Sequence, residues 1–177
     1  MFQTIIRFVI FIITLSLISL FQISVPFVWS GFFGEFNFIP LILVSLLFFY
    51  NSKTALLAAL IIGFFLDTFS FSFFGLETIS LFIALFLIDK ISFSWLTNRS
   101  FYSFVIINLL FIIFHSLISS LFSYFSYLEY STFFLWRFSF WVSLFYSFSW
   151  ALIIAIISFN PLSSLTKNLS PVFLEKK

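Results

Sequence analysis

Asp67 and Glu77, two carboxylates ten residues apart, together with His115 and Arg137, are the groups through which this 177-residue chain could do chemistry. A carboxylate pair is what general acid and base work requires, and a histidine could serve as a proton relay or touch a ligand. Neither a nucleophile pattern, a glycine-rich phosphate loop nor a metal-ligand cluster accompanies them. Zero cysteines exclude disulfides and thiolate metal sites, and a single histidine excludes multi-histidine metal chemistry. The chain is therefore read as non-enzymatic, with no cofactor and no metal.

Asp67 ends a seam of small residues. Ala55, Ala59, Gly63 and Asp67 follow one another four residues apart, and Gly75 comes eight residues later. That spacing puts them on one face of a helix over Thr54 to Phe69. In lipid, small residues let helix backbones approach closely, because packing and hydrogen bonds rather than water exclusion drive association. An ionisable group on such a seam is costly unless it faces protein, so the seam marks a helix-packing or partner face. Two readings of the carboxylates stand side by side. Asp67 and Glu77 could surround an outer turn, with backbone amides or waters as partners. They could instead serve partner docking or an internal ion pair, for which Arg137 is the natural cation, as it is for Glu129. Gly75 would let the backbone reverse tightly, since glycine takes a positive φ without a Cβ clash.

The elements that must hold these groups are membrane helices. Hydrophobic residues make up 63% of the chain and charged ones 8%, more apolar surface than a soluble domain of this size needs. Runs near the 20 or so residues that cross a hydrocarbon core occur at Ile5 to Val25, Phe36 to Tyr50, Thr54 to Phe69, Phe74 to Ile88, Phe101 to Phe125 and Phe133 to Phe159. The fold class is thus an all-α, polytopic membrane helix bundle of about six helices. It forms one domain over 1–160, with a short basic cytoplasmic tail over 161–177, frayed or lying on the surface. Pro40 suits the first turn of the second helix, where its missing N–H has no partner to lose. The first run is long and no small-x-small cleavage site follows it, so it is read as a retained helix rather than a signal peptide. With both termini cytoplasmic, Arg7, Lys53, Lys90, Arg99, Lys167, Lys176 and Lys177 fall inside and only Arg137 outside, as the positive-inside rule asks. The inner loops are then Asn51 to Lys53 and Asp89 to Arg99; the outer ones are Pro26 to Asn37, Thr68 to Phe73 and Ser126 to Thr132. The 34 phenylalanines, beside abundant Ile, Ser, Tyr, Asn and Lys, fit coding DNA rich in A and T that fills lipid-facing positions; an aromatic binding surface is the other reading.

Polar residues also form stripes. Asn108, His115, Ser119, Ser123 and Ser126 fall within about 80° of one another at about 100° per residue, so they should point into the bundle. Ser139, Ser143, Ser147 and Trp150 make a similar stripe on the last helix. Hydrogen bonds across helices would make His115 interhelical glue. Ala151 and Ala155 offer a packing counterpart for Ala55 and Ala59.

The string LLAALIIGFFLDTFSFSFFGLETISLFIALFLI, with Gly63, Leu66, Asp67, Ser70 and Gly75, resembles the core of the MreD family of bacterial rod shape-determining membrane proteins. In that family a glycine precedes an apolar turn and an aspartate, then come a short outer loop, a second glycine and another apolar helix. The segment FIPLILVSLLFFY with Pro40 is also similar, so the likeness spans about residues 36 to 120. The resemblance implies a non-enzymatic component of the cell-wall elongation machinery in the bacterial inner membrane. It implies an MreC-like single-span partner and a larger complex with the actin-like MreB, the glycosyltransferase RodA and a class B penicillin-binding protein; nucleic acid is not among the partners. A competing reading comes from the substrate-binding subunits of energy-coupling factor transporters, small six-helix bundles to which the MreD fold is thought similar. Those present alanine-rich motifs on the first helix, whereas TIIRFVIFIITLSLISL here contains no alanine.

Overall fold

The computed structural model describes residues 2–28, 36–69, 74–95, 100–127 and 138–173. Six α-helices occur among the described residues: α1 (Phe2–Val28), α2 (Ile39–Ser45), α3 (Ser52–Phe69), α4 (Leu76–Trp95), α5 (Phe101–Tyr127) and α6 (Phe138–Phe173). A π-helical turn, Leu46–Tyr50, continues α2. No strand is present among the described residues. Among the described residues, three stretches are long and apolar enough to cross a membrane: Ser52–Phe69, Phe101–Ser123 and Phe138–Phe159. Shorter apolar stretches lie at Val9–Val25 and Ile39–Phe49. The chain is a helical membrane bundle.

Several boundaries differ from those read in the sequence. α2 starts at Ile39 rather than Phe36, because Gln22 of α1 takes the preceding backbone: its Nε2 donates to the Phe36 carbonyl (2.8 Å) and its Oε1 accepts from the Phe38 N–H (3.2 Å). Asn37 Oδ1 then accepts the Ile39 N–H, and Pro40 occupies the first turn at no hydrogen-bond cost. α4 begins two residues after Phe74 and runs past Ile88 through Asp89 and Lys90, so part of the supposed inner loop is helix. The sixth helix continues beyond Pro161 to Phe173, where the sequence suggested a frayed tail. Residues 133–137 lie outside the described residues.

The core is built on α3. Ala55, Ala58, Ala59 and Ile62 are wholly buried, and α3 packs chiefly on α4 and α1. The principal neighbours of α6 are α5, α2 and the π-helical turn. Ala151 and Ala155 are buried, but α6 packs chiefly on α5 and α2 rather than on α3, which carries the Ala55–Ala59 face their spacing suggested as counterpart. At the end of the bundle where α3 begins, the π-helical turn carries Phe48 and Phe49 toward Phe104, at 5.5 and 5.6 Å between ring centroids, and Phe159 closes on Phe49 and Phe104. Its defining bond runs from the Asn51 N–H to the Leu46 carbonyl, and Asn51 then starts α3 by accepting from Lys53 N–H on Oδ1. Ser52 donates to Asp89 (2.7 Å), tying the first turn of α3 to the far end of α4. Hydroxyls on the outside of the bundle behave differently. Thr14, Thr68 and Ser149 each donate to the carbonyl four residues back in their own helix, which satisfies them with no partner in lipid.

Gly63 brings α3 against the backbone of α4. An ideal Cβ on Gly63 would sit 2.5 Å from the Thr78 Cα and 3.0 Å from its N, both backbone atoms that cannot swing aside. Even alanine therefore forces the helices apart. Gly63→Ala is expected to lower stability by about 1–3 kcal/mol, and Gly63→Leu to abolish accumulation of folded protein. Thermal unfolding of purified protein in detergent checks this; an alanine variant as stable as the parent would show that α3 and α4 can separate without loss.

Candidate functional site

Helices start with backbone N–H groups that have no partner within the helix. Normally a Ser, Thr, Asp or Asn just before the helix accepts from them. The residues before α4 are Phe74 and Gly75, neither of which has a side-chain acceptor. Asp67, one helix away, does the work. Its Oδ1 accepts the Glu77 N–H at 2.9 Å, and its Oδ2 accepts the Thr78 N–H at 2.9 Å and the Thr78 hydroxyl. The carboxylate thus sits against the positive end of the α4 dipole, which lets it be 3% exposed in an apolar bundle. Gly75 makes the geometry reachable: at φ +95° it turns the chain into α4 in a conformation that L side chains rarely adopt. With both oxygens engaged, Asp67 is a fixed acceptor rather than a poised base.

Glu77 divides its two ends. Its N–H goes to Asp67, while its carboxylate crosses to α5 and meets His115 Nε2 at 3.2 Å. The Phe111 ring lies parallel to the imidazole, 6.1 Å between centroids. Ser80 donates to the Glu77 carbonyl and is itself buried. One polar chain therefore runs from α3 through the start of α4 to α5.

The structure brings Asp67, Gly75, Glu77 and His115 together. Ala55, Ala59 and Gly63 lie below them on the same face of α3. Asn108 is separate, two turns nearer the start of α5 than His115; its Nδ2 donates to the Phe104 carbonyl at 3.2 Å, and its buried Oδ1 has no hydrogen-bond partner among the described residues. Arg137, the cation suggested for either carboxylate, and Glu129 lie outside the described residues. The residue that the spacing argument missed is Thr78, which donates to Asp67 through both its N–H and its hydroxyl and lies against the backbone of Gly63. Its signal was indirect: a helix beginning after Phe-Gly has no local cap, so an acceptor must come from elsewhere. Among the described residues, no group of three His, Asp or Glu side chains could hold a metal ion.

An asparagine at position 67 could not reproduce this bond pattern. Both oxygens accept backbone N–H groups, so Asp67→Asn turns an amide donor toward a donor and leaves a buried N–H unpaired. The expected loss is about 1–3 kcal/mol for Asp67→Asn and more for Asp67→Leu, read as thermal stability in detergent. Equal stability of the parent and the asparagine variant would overturn this account of the site.

With that geometry in place, the comparison with known proteins is direct. No curated protein and no solved structure matches the chain. A family model described as rod shape-determining protein MreD matches residues 2–165, from the beginning of α1 well into α6 and across the whole α3–α4–α5 site. By that match, the chain belongs to the MreD family of rod shape-determining membrane proteins.

Proposed function

We propose that this chain is a non-enzymatic membrane component of the bacterial cell-wall elongation complex, acting in the inner membrane to maintain rod shape beside an MreC-like single-span protein. The family match over residues 2–165 carries the reading. The site chemistry supports it: Asp67 is committed to the first turn of α4 and Glu77 to His115, so the polar groups build the bundle instead of presenting a reaction centre. MreB, RodA and a class B penicillin-binding protein are the further members of the complex that this reading places around it.

The same reading takes the chain across the membrane six times with both ends in the cytoplasm. The Ser52–Asp89 bond brings the start of α3 and the end of α4 to one side, with exposed Lys53 and Lys90 beside it. Lys90 lies over the Phe86 ring at 5.6 Å, its stem along apolar surface and its charge toward the membrane boundary. Contacts of Phe104 with Phe48 and Phe49 bring the start of α5 to that same end. These supports agree with the distribution of lysine and arginine under the positive-inside rule.

Two measurements test the proposal. A reporter fused after Tyr130 should behave as extracytoplasmic; cytoplasmic behaviour would sink the topology. Cells lacking the chain should lose rod shape, and tagged chain solubilised from its own membranes should bring down a single-span MreC-like protein. Rods that persist without it, together with purification free of such a partner, would sink the functional reading.

A further inference from the structure

Burial along α5 stops partway. In its inner half, Ser103, Phe104, Ile107, Asn108, Phe111 and Ile112 are buried. From 113 to 123, no described side chain is. Mere turning of the helix does not explain this. Phe122 stands eighteen residues beyond Phe104, about five whole turns at 3.6 residues each, and so repeats its direction; yet Phe104 is 0% exposed and Phe122 is 37% exposed. The outer half of α6 shows the same profile, with no buried side chain from 138 to 150 and burial beginning at Ala151. Across from them, α1, α3 and α4 stay packed to their outer ends, where Gln22, Val25, Asp67, Leu76 and Ser80 are buried.

His115 falls where these two regimes meet. It continues the core-facing stripe of Asn108 and Phe111, but its side chain is 17% exposed and that of its partner Glu77 is 26% exposed. Among the described residues, Nε2 of His115 and Oε2 of Glu77 bond each other, and no bond engages His115 Nδ1 or Glu77 Oε1. At about 1.5 Å per residue, His115 lies roughly 21 Å from the start of α5, short of the roughly 30 Å of a hydrocarbon core. Polar groups with unspent hydrogen-bonding capacity at such depth need a partner or a water-lined space. Ser119, on the same stripe one turn further out, extends the polar lining.

We infer that α5 and α6 part from the α1–α3–α4 wall in the outer half of the bundle, leaving a water-filled cleft whose floor is the Glu77–His115 pair. Water takes the open positions on the carboxylate and the imidazole. Phe111 and the buried residues beneath it seal the cleft from the inner half.

The chain has no cysteine, which makes the test direct. Single variants Ser119→Cys, His115→Cys, Ile79→Cys and Asn108→Cys, purified and reconstituted in lipid nanodiscs, are reacted with a charged, membrane-impermeant thiol reagent. Nanodiscs expose both faces, so the outcome does not depend on the orientation proposed above. Ile79 is the control for depth: two residues from Glu77 on α4, it is 45% exposed on the outside of the bundle and meets lipid instead of the cleft. Cysteines at 119 and 115 should react at least about ten-fold faster than at 79, and the one at 108 should stay unreactive. Rates at 119 and 115 no faster than at 79 would overturn the cleft, as would reaction at 79 and 119 alike. Ser119→Cys leaves the Glu77–His115 pair intact and so carries the test if His115→Cys fails to fold.

Discussion

A carboxylate that caps the helix next to its own is the interaction on which the rest of this bundle depends. Asp67 reaches from the last turn of α3 to two N–H groups and a hydroxyl in the first turn of α4. The bond needs α3 and α4 to lie nearly backbone to backbone, which Gly63 permits, and it needs a reversal between them, which Gly75 provides. Each of the three requires the others. An aspartate without the close approach would be a buried charge lacking donors, and the close approach without the aspartate would bury unpaired N–H groups.

From that clamp the structure extends in two directions. Sideways, Glu77 is held by its own backbone N–H, so its carboxylate arrives at His115 with little freedom left, and α5 is joined to the α3–α4 pair. Along α3 in the other direction, the alanine face is buried as far as the Ser52–Asp89 bond, which fixes the other end of the same helix pair. The α3–α4 hairpin is thus pinned at both ends by a carboxylate, each from a different helix.

Much of this was legible in the sequence because membrane helices advertise themselves. Four-residue spacing announced the seam from Ala55 to Asp67, and the apolar runs gave all six helices, with errors concentrated where side chains decide the ends. Gln22 capturing the backbone at Phe36 and Phe38 is a contact between residues fourteen and sixteen apart in sequence, invisible to any local pattern. Thr78 was overlooked for the same reason: a helix interior threonine gives no sign that another helix will use its N–H. The pairing of Ala151–Ala155 with Ala55–Ala59 failed because small-residue spacing shows that a face can be approached closely, not which helix approaches it. Periodicity pointed to His115 as an interhelical bond, and it meets Glu77 between α5 and α4; the burial profile that also sets it apart exists only in three dimensions.

The π-helical turn at Leu46–Tyr50 has a consequence for how the chain could change length. Such a turn is an α-helix carrying one surplus residue. The Asn51 N–H already reaches the Leu46 carbonyl across that surplus, so removing one intervening residue would let the same bond close as an ordinary i to i−4 step, with Asn51 still placed to start α3. What the extra residue adds is a local bulge, from which the adjacent Phe48 and Phe49 both reach Phe104. Elsewhere in a helix one residue gained or lost turns everything beyond it by about 100°; here the change is absorbed within a single turn, and the two ends of the bundle keep their phase.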